Sequence, residues 1–313
     1  MPAERMENLV ERLGPVRGEL AANVSLARFT WFKTGGPADV LFRPADLDDL
    51  VAFLPRIPTG VPMTVIGNAS NLLVRDGGIE GVVIRLGRGF TEIEVNGDDV
   101  VAGGAAADLN VARQARDAGI AGLEFLAGVP GAIGGAVAMN AGAYGGEVAD
   151  VFVSATVVSR DGAVSPVERD AMDFAYRRSS LGDERIVTAV RLRGATGDKA
   201  EIAARMEEIQ REREAGQPLR TLTGGSTFKN PEGHKAWQLI DAAGCRGLRR
   251  GAAVVSEKHC NFLVNEGGAS AADIEGLGEE VRRRVEAQSG IVLEWEIRRI
   301  GRLPAGELNE VRQ

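Results

Sequence analysis

The chemically richest stretch of this chain is a loop that places a hydroxyl, an ammonium group and an amide beside two adjacent glycines. Its sequence is Gly224-Gly225-Ser226-Thr227-Phe228-Lys229-Asn230-Pro231, called the serine loop below. The glycines let the backbone approach a ligand, Pro231 prevents continuation as a helix, and Lys229 offers a mobile positive charge to a phosphate or carboxylate. Ser226 can donate a proton. The serine loop therefore indicates a site for an anionic substrate, with a polar hairpin loop and a chance lysine as the alternative.

Length and composition describe a protein large enough for two or three lobes. The chain has 313 residues, 44% of them hydrophobic, and its net charge of -7 comes from 44 acidic and 37 basic residues that are interspersed. No basic patch indicates nucleic acid or an anionic membrane, so an anionic ligand must be held locally. Cys245 and Cys260 are too few for a disulfide framework, and no stretch approaches the roughly 18 apolar residues of a membrane span. We therefore expect a cytoplasmic protein with two reduced, buried thiols.

Two loops with demanding backbone geometry stand out in a chain that contains 41 glycines. The asparagine loop, residues 67–71, follows a short apolar segment, and the glycine-rich loop, residues 128–146, has seven glycines in nineteen residues. No Gly-x-Gly-x-x-Gly follows a strand and no Gly-Lys-Ser/Thr follows a glycine loop, so neither a Rossmann site nor a P-loop is supported. Both loops can offer backbone amides to a pyrophosphate, and tight turns without a ligand are the alternative.

The remaining pattern predicts a mixed succession of helices and strands. Helices are predicted over 5–22, 46–54, 108–119, 198–214, 235–243 and 270–288, with Asp46 and Asp108 as caps. Extended segments are predicted over 27–42, 63–66, 82–86, 186–192, 252–255, 261–264 and 291–300. Two hairpins are indicated by the turn pairs Asn96-Gly97 and Asp161-Gly162 between apolar stretches.

The pattern changes near residue 198 to a charged amphipathic helix, which predicts a domain boundary. We expect an N-terminal helical segment at 1–22, two cofactor-holding lobes at 23–85 and 86–197, and a C-terminal domain at 198–313 that carries the serine loop. Mixed hairpins and crossovers favour an α+β architecture over a doubly wound parallel sheet.

Five motifs in order along the chain carry a resemblance to a known family. They are Gly67-Asn68-Ala69-Ser70-Asn71-Leu72-Leu73, Gly128-Val129-Pro130-Gly131-Ala132-Ile133-Gly134-Gly135-Ala136-Val137, Met139-Asn140-Ala141-Gly142-Ala143-Tyr144-Gly145, Phe174-Ala175-Tyr176-Arg177 and Gly225-Ser226-Thr227-Phe228-Lys229-Asn230-Pro231. Together they resemble the UDP-N-acetylenolpyruvoylglucosamine reductase family, flavoenzymes that make UDP-N-acetylmuramate for bacterial peptidoglycan. The match runs from about Phe29 to Gly301, and the short interval between Tyr176 and Ser226 resembles the branch that lacks an extra tyrosine loop over the substrate.

The resemblance implies non-covalent FAD in a two-lobed binding domain of the vanillyl-alcohol oxidase (PCMH) type, followed by a C-terminal α/β substrate-binding domain. It also implies NADPH as the hydride donor and a UDP-sugar enolpyruvyl ether as the substrate. Only His234 and His259 occur, so the N-terminal histidine that links flavin covalently in some relatives of this fold is missing. The residues expected to contact FAD are Thr34, Gly67, Asn68, Ala69, Ser70, Asn71, Gly128, Pro130, Gly131, Ala132, Gly134, Gly135 and Ala138.

Reducing an enolpyruvyl ether requires a proton donor and groups that stabilise the enolate-like charge that develops beforehand. By resemblance, Ser226 is the proton donor, Arg177 holds the substrate carboxylate through its planar guanidinium, and Glu296 is the third catalytic group. A surface ion pair is the alternative for Arg177, and the neighbouring Arg178 leaves the register open on chemical grounds alone.

The strand around Glu296, residues 293–298, is called the acid strand. Alternation should send its apolar residues to one face and Glu294, Glu296 and Arg298 to the other. One of the two carboxylates would be the catalytic group, and the family pattern selects Glu296. A solvated strand face with an internal Glu–Arg pair is the alternative.

The substrate contacts expected by resemblance are Lys229 and Asn230 at the diphosphate or uridine end and Tyr144 over the cleft. Simple packing is the equal alternative for Tyr144, and His259 is interpreted as structural. We expect no metal site, no nucleic-acid or membrane partner, and a monomer.

Two other functions compete with this interpretation. The first is another enzyme of the same flavin fold, such as an alcohol or lactate oxidase, which the missing flavin-linking histidine and the Ser226 motif oppose. The second is a catalytically silent regulator that binds flavin or a nucleotide sugar, which requires Arg177, Ser226 and Glu296 to be incidental.

Overall fold

The structure, a computed structural model, describes residues 9–182 and 184–304, and these divide between two compact units. Unit 1 contains the N-terminal segment through Ala22, Val40–Asn68 and Gly81–Arg213. Unit 2 contains Asn23–Asp39, Ala69–Glu80 and the chain from Glu214 onward. Each unit is therefore assembled from segments that are far apart in the sequence.

Strands and helices are numbered in chain order. The strands are β1 Glu19–Ser25, β2 Pro37–Arg43, β3 Met63–Val65, β4 Leu72–Val74, β5 Ile79–Ile84, β6 Ile93–Asn96, β7 Asp99–Gly103, β8 Ile120–Ala121, β9 Gly142–Ala143, β10 Gly146–Glu147, β11 Phe152–Ser159, β12 Val164–Glu168, β13 Arg185–Arg193, β14 Ala195–Thr196, β15 Arg249–Arg250, β16 Ala253–Val255, β17 Leu263–Asn265 and β18 Arg298–Ile300. The helices are α1 Leu47–Phe53, α2 Asp108–Ala118, α3 Ile133–Ala138, α4 Val148–Val151, α5 Lys199–Gly216, α6 Ala236–Ala242 and α7 Ala271–Ser289.

The chain up to β13 forms two larger sheets. The first has the order β1-β2-β5-β3, with β3 and β5 parallel, and the second is antiparallel in the order β12-β11-β13-β7-β6. Helix α2 packs against β6 and β7, and α3 packs against β13. The second sheet and these helices share a core in which Val100, Val111 and Val190 are fully buried. Burial of this apolar surface stabilises the platform that carries the glycine-rich loop.

Unit 2 combines an antiparallel sheet, β15-β16-β17, with α6 and α7, and β18 pairs parallel to β4. Its core contains Cys245 and Cys260, which are buried and free, as predicted. Burial raises the pKa of the Cys260 thiol to about 11, so the thiol stays protonated near neutral pH. Helices and antiparallel hairpins occur together in both units, and the predicted α+β class is confirmed.

Several local signals in the sequence are confirmed. Asn96-Gly97 joins β6 to β7 in a hairpin, and Gly97 has the positive φ of 60° that such a turn requires. The Asp46 carboxylate caps α1 by accepting a hydrogen bond from the Asp49 N–H at 3.1 Å. Ser270 caps α7 in the same way. These features depend on residues close together in the sequence, which is why the pattern reveals them.

The predicted N-terminal helix over 5–22 is wrong in its C-terminal part. Residues 5–8 lie outside the described residues, and residues 9–13 are helical. Gly14 then takes a left-handed backbone with φ 72°, a proline follows it, and the helix stops. The chain enters β1 instead, because pairing within a sheet overrides a weak helical periodicity.

Two predicted extended segments are shorter than expected. In the segment 27–42, the Leu26 carbonyl accepts hydrogen bonds from the N–H groups of Phe29 and Thr30 at 2.9 and 3.1 Å, so tight turns precede β2. In the segment 291–300, only β18 is a regular strand. The residues before it pair with the serine loop through backbone hydrogen bonds.

The prediction that Asp108 caps α2 is also wrong. Ala107 occupies the cap position, and Asp108 lies on the buried face of α2 with Val111, Ala112 and Ala115. Within the described residues, neither Asp108 carboxylate oxygen has a hydrogen-bond partner, and burial raises the pKa of Asp108 well above its ordinary value of 3.8. A carboxyl group whose charged form is disfavoured by burial therefore sits in the core of unit 1.

The four domains predicted from the sequence, 1–22, 23–85, 86–197 and 198–313, differ from the two compact units in two respects. Helix α5 belongs to unit 1 as far as Arg213, and residues 23–39 and 69–80 belong to unit 2. The last part includes residues 305–313, which lie outside the described residues. None of the described helices is both long and apolar enough to cross a membrane.

Candidate active site

Ser226 and Glu296 lie on neighbouring backbone segments of unit 2. The Glu296 N–H donates to the Thr227 carbonyl at 2.8 Å, and the Lys229 N–H donates to the Glu294 carbonyl at 2.8 Å. These bonds pair the serine loop with the acid strand as a short antiparallel ladder. Only Thr227 and one hydrogen bond separate the two predicted catalytic residues along this path.

The two glycines of the serine loop are needed for different reasons. A Cβ on Gly224 would lie 2.5 Å from the Phe32 ring and 3.1 Å from Ile297, so the loop backbone rests directly on this apolar surface. Gly225 has φ 85°, a conformation that L side chains rarely adopt. One glycine permits close packing and the other permits the turn that precedes Ser226.

The predicted alternation of the acid strand is confirmed by burial. Leu293 and Ile297 are 0% and 2% exposed, whereas the Glu294 side chain is 74% exposed. The Trp295 ring lies so close to Gly278 that a Cβ there would meet it at 2.2 Å. The strand is thus held to unit 2 through its apolar face, which leaves the glutamates on the accessible face.

Asn71 of the asparagine loop belongs to unit 2 and holds the acid strand from the other side. Its Nδ2 donates to the Glu296 carbonyl at 3.1 Å, and its own carbonyl accepts from the Arg298 N–H at 3.1 Å. The parallel pairing of β4 with β18 continues this register. Asn71 is one of the residues predicted to contact FAD, and it also bonds the peptide of Glu296.

Arg177 occupies the tip of a tight turn in unit 1. Ala175 and Arg178 close the turn through two backbone hydrogen bonds of 3.0 Å, and Arg177 has a left-handed backbone with φ 57°. Such a conformation is uncommon for a long side chain and is concentrated at functional positions. The buried Asn140 anchors the turn by donating from Nδ2 to the Ala175 carbonyl at 3.2 Å.

Arg177 and Arg178 differ in their surroundings. Arg177 is half-buried, with its guanidinium carbon 5.0 Å from the centre of the Tyr176 ring, and Arg178 is exposed. The special backbone, the anchoring and the partial burial all distinguish position 177.

Tyr144 packs onto the start of the glycine-rich loop in unit 1. A Cβ on Gly128 would lie 2.4 Å from the Tyr144 ring, and the Tyr144 carbonyl accepts from Arg205 Nη2 at 3.0 Å. Burial raises the pKa of Tyr144, so its phenol is protonated near neutral pH. Gly128, predicted to contact FAD, therefore also has a packing reason to lack a side chain.

The two loops predicted to hold FAD meet in unit 1. Asn68 Nδ2 donates to the Gly131 carbonyl at 3.0 Å. A Cβ on Gly67 or Gly135 would meet no atom within 4 Å, so the backbone faces open space at both positions. A joined pair of loops with bare, accessible backbone fits a cofactor that carries a diphosphate.

Other predicted FAD residues of the glycine-rich loop have structural contacts. A Cβ on Gly134 would lie 2.8 Å from the Gly104 carbonyl, which accepts the Gly134 N–H at 3.0 Å. Ala132 is buried and begins α3 as its N-cap. The Ala138 carbonyl accepts from the Ser179 hydroxyl at 2.9 Å, close to the Arg177 turn.

The remaining predicted FAD residues are divided between the units. Pro130 lies in unit 1, and Thr34, Ala69 and Ser70 lie in unit 2. Thr34 is buried and its carbonyl accepts from the Thr30 hydroxyl at 2.8 Å, while Ala69 has a positive φ of 50°. All four lie in turns or irregular segments rather than in regular strands.

Lys229 and Asn230, the predicted substrate contacts of the serine loop, have different partners. Lys229 Nζ lies 3.1 Å from Glu294 Oε2, and their side chains are 33% and 74% exposed. Asn230 Oδ1 accepts from the Ala236 N–H at the start of α6 at 3.0 Å. Among the described residues no acceptor bonds the Asn230 Nδ2 group, so it can donate to a ligand.

His259 is placed as a structural residue. Its ring packs against Phe262 with centroids 4.8 Å apart, and its Nδ1 accepts from the Asn261 N–H at 3.2 Å. Burial lowers the pKa of His259, so the ring is neutral and carries its proton on Nε2. Within residues 9–182 and 184–304, no group of three or more histidine, cysteine or acidic side chains is placed to hold a metal ion.

Two buried asparagines support the site without having been predicted. Asn140 and Asn261 are 0% and 4% exposed, and their side chains bond the Arg177 turn and the serine loop, respectively. The signal for Asn261 is an amide at the head of an apolar run, since a buried polar group must find partners.

Comparison with known proteins identifies two family models along the chain. A model described as "UDP-N-acetylenolpyruvoylglucosamine reductase, C-terminal domain" matches residues 217–300, and an "FAD binding domain" model matches residues 38–167. The first matched segment contains the serine loop and the acid strand, and the second contains the asparagine loop and the glycine-rich loop, which are predicted to hold FAD.

Relatives resemble the chain over nearly its whole length. Proteins named UDP-N-acetylenolpyruvoylglucosamine reductase from Parvibaculum lavamentivorans and Azorhizobium caulinodans are each 59% identical to it; the alignments cover 96% and 95% of this chain and 97% and 96% of those proteins. The crystal structure of the reductase from Thermus caldophilus matches with a TM-score of 0.79 and 39% identity, covering 92% of this chain and 100% of that one.

Proposed function

Since this chain belongs to the UDP-N-acetylenolpyruvoylglucosamine reductase family, we propose that Ser226, Arg177 and Glu296 together protonate the substrate and stabilise the charge that precedes protonation. The protein is an FAD-containing, NADPH-dependent oxidoreductase with an FAD-binding domain of the PCMH type. It reduces UDP-N-acetylenolpyruvoylglucosamine to UDP-N-acetylmuramate in the synthesis of peptidoglycan precursors. FAD, held by the asparagine loop and the glycine-rich loop, would supply the transfer of a hydride from NADPH to the terminal methylene carbon of the enolpyruvyl group.

Ser226 supplies the proton in this proposal. After hydride delivery, the carbon next to the carboxylate carries an electron pair, and that pair takes the proton from the Ser226 hydroxyl to form the second new C–H bond. An ordinary hydroxyl is acidic enough because the acceptor is a strongly basic carbanion. The positive φ of Gly225 and the ladder with the acid strand fix the peptide from which this hydroxyl projects.

Arg177 and Glu296 act on the charge that spreads into the substrate carboxylate. The planar guanidinium of Arg177 can bond both carboxylate oxygens, which a lysine cannot do with the same geometry. Glu296 is assigned as the hydrogen-bonding partner of the forming enolate. Preorganised groups of this kind lower the barrier because they need no rearrangement when charge appears.

Binding of the cofactor and substrate is assigned to the loops. We propose that the predicted FAD set acts mainly through backbone amides, supported by the bare backbone at Gly67 and Gly135. Lys229 and the free Nδ2 of Asn230 would bind the diphosphate or uridine end, and Tyr144 would line the cleft.

The observation that carries the proposal is the ladder that joins the serine loop to the acid strand through Glu296 and Thr227. Rapid mixing of the holoenzyme tests it by separating reduction by NADPH from reoxidation by the enolpyruvyl substrate. Ser226→Ala should leave reduction nearly unchanged and slow reoxidation by about 10²–10⁴-fold, since a general acid is lost. Ser226→Cys should recover part of that loss because a thiol also donates a proton. Reoxidation of Ser226→Ala at the wild-type rate would show that Ser226 is not the donor.

The state and partners of the protein are proposed separately. We propose a cytoplasmic monomer without nucleic-acid or membrane partners, supported by interspersed charges with a net value of -7. Light scattering during size-exclusion chromatography measures the mass, and a mass of two chains would contradict the monomer.

A further inference from the structure

Asn261 gives its whole side-chain amide to the serine loop. Its Oδ1 accepts from the Phe228 N–H at 2.9 Å, and its Nδ2 donates to the Phe228 carbonyl at 2.8 Å. Its backbone carbonyl accepts from the Thr227 N–H at 2.7 Å. Asn261 is only 4% exposed, so these three hydrogen bonds are shielded from water. Hydrogen bonds in such surroundings are strong, and a buried donor or acceptor that loses its partner costs free energy.

The side-chain amide of Asn261 occupies the place beside Phe228 that the backbone of a neighbouring strand would take. An amide offers one acceptor and donors at the spacing of a peptide group, so it pairs with both polar groups of Phe228 as a neighbouring strand would. The next residues continue the contact, because Phe262 forms a bridge pair with Ser226 and the Leu263 N–H donates to Thr227 Oγ1 at 3.2 Å. The serine loop is therefore held on one side by residues 261–263 and on the other by the acid strand.

We propose that Asn261 is a positioning residue for Ser226, fixing the peptide at 226–228 so that the serine hydroxyl stands at the carbon to be protonated. This rests on the proposed role of Ser226 as the proton donor. Thr227 links the two supports, since its N–H bonds Asn261 and its carbonyl bonds Glu296. Loosening Asn261 would therefore displace Ser226 relative to Glu296, and a displacement of about 1 Å can cost a factor of roughly 10² in rate.

Asn265 provides a matched control within the same segment. It is also 4% exposed, and its side chain makes three hydrogen bonds, one more than the Asn261 side chain: it donates to the Phe32 carbonyl at 2.8 Å and accepts from the N–H groups of Gly267 and Ala269 at 2.8 and 3.0 Å. None of those bonds reaches residues 226–228. Loss of the Asn265 amide should therefore destabilise unit 2, and it reaches the serine loop only indirectly, through Phe32 beneath Gly224.

The test compares Asn261→Asp with Asn265→Asp in the FAD-loaded enzyme. Aspartate keeps the size and an acceptor but removes the Nδ2 donor, so the Phe228 carbonyl loses its partner. We expect reoxidation by the enolpyruvyl substrate to slow by roughly 10²-fold in Asn261→Asp, with reduction by NADPH and the dissociation constant of the substrate changed by less than about threefold. Asn265→Asp should lower the melting temperature but reoxidise near the wild-type rate.

A double variant separates positioning from general destabilisation. If Asn261 acts through the serine hydroxyl, Ser226→Ala combined with Asn261→Asp should be no slower than Ser226→Ala alone, because the group being positioned is already absent. Multiplied losses, or equal reoxidation rates in Asn261→Asp and Asn265→Asp, would overturn the inference. If Asn261→Asp folds poorly, Asn261→Ala takes its place under the same criteria. Wild-type reoxidation by Ser226→Ala would instead reject the proposed proton donor, and the positioning role with it.

Discussion

The glycine-rich loop of unit 1 and the serine loop of unit 2 both contain adjacent glycines, and the structure uses them differently. In the glycine-rich loop, Gly134 lets backbone touch backbone and Gly135 leaves bare backbone beside open space. In the serine loop, Gly224 seats the chain on an aromatic ring and Gly225 supplies a positive φ just before Ser226. The first arrangement presents peptide groups, and the second presents a side chain.

A loop that presents backbone groups and a loop that presents a side-chain proton donor need different support from the surrounding structure. The backbone of the glycine-rich loop has to be packed on one side only, and the contact of Gly134 with the Gly104 carbonyl provides that packing. A proton donor must be aimed, so its peptide needs support from both sides, which the acid strand and the buried Asn261 amide provide. Substitutions in the two loops should therefore fail in different assays.

The largest effects are expected where side chains stabilise charge. Arg177→Lys and Glu296→Gln should each slow reoxidation by the enolpyruvyl substrate by about 10²–10³-fold, because lysine cannot make the two-point contact with the carboxylate and glutamine lacks the carboxyl group assigned to the enolate. Rapid mixing of the NADPH-reduced enzyme with substrate measures this rate. Arg178→Lys is the matched control and should remain near wild type. A larger loss at position 178 than at 177 would reverse the assigned register.

The glycine-rich loop should respond through stability or cofactor content instead. Gly134→Val should lower the free energy of unfolding by about 1–3 kcal/mol, because its Cβ would lie 2.8 Å from a backbone carbonyl. Gly135→Val should leave the melting temperature of the apoprotein nearly unchanged and reduce the FAD-to-protein absorbance ratio, since its Cβ enters open space. Full FAD content in Gly135→Val would show that this backbone does not face the cofactor.

Asp108, on the helix behind the glycine-rich loop, should give a smaller and pH-dependent effect. Burial raises the pKa of Asp108 in the folded protein above 3.8, so the folded state keeps a proton that the unfolded state releases, and stability falls as the pH rises from about 4 toward the folded-state pKa. Asp108→Asn removes this dependence. The variant should gain on the order of 1 kcal/mol, or ~2–4 °C in melting temperature, near neutral pH and less near pH 5.

Thermal unfolding of wild type and Asp108→Asn across about pH 5–8 measures the difference. The gap between the two melting temperatures should widen as the pH rises. A constant gap would mean that Asp108 does not titrate differently in the folded and unfolded states.

The smallest effects are expected at the exposed end of the serine loop. Lys229→Met should raise the KM for the UDP-sugar substrate by roughly tenfold, the loss of about 1.4 kcal/mol from one charged contact, with little change in the rate of NADPH oxidation at saturation. Glu294→Gln removes only an exposed ion-pair partner and should change stability by less than about 1 kcal/mol. Steady-state kinetics of the two variants distinguishes a substrate contact from a surface ion pair.

Local chemistry in the sequence was sufficient for much of the fold and for the identity of the site motifs. The Asn96-Gly97 hairpin, the cap at Asp46 and the alternation of the acid strand all depend on residues a few positions apart. Turn geometry, capping and strand periodicity act over such distances, so a pattern can reveal them without knowledge of the packing. The roles of Ser226 and Lys229 in binding and protonating an anionic substrate stay predictions drawn from their shared loop.

The residues that support those motifs come from distant parts of the chain and depend on how the protein packs. Residues 19–25 form a strand where helical periodicity was weak, and Asp108 enters the core where a cap was expected. Asn71 bonds the Glu296 carbonyl across 225 positions, and Asn261 bonds Phe228 across 33. Such contacts depend on which segments pack together, because a buried amide takes whatever partners the fold brings within hydrogen-bond reach. The functional groups that the loops carry can be read from the sequence, whereas long-range packing sets the orientation of those groups.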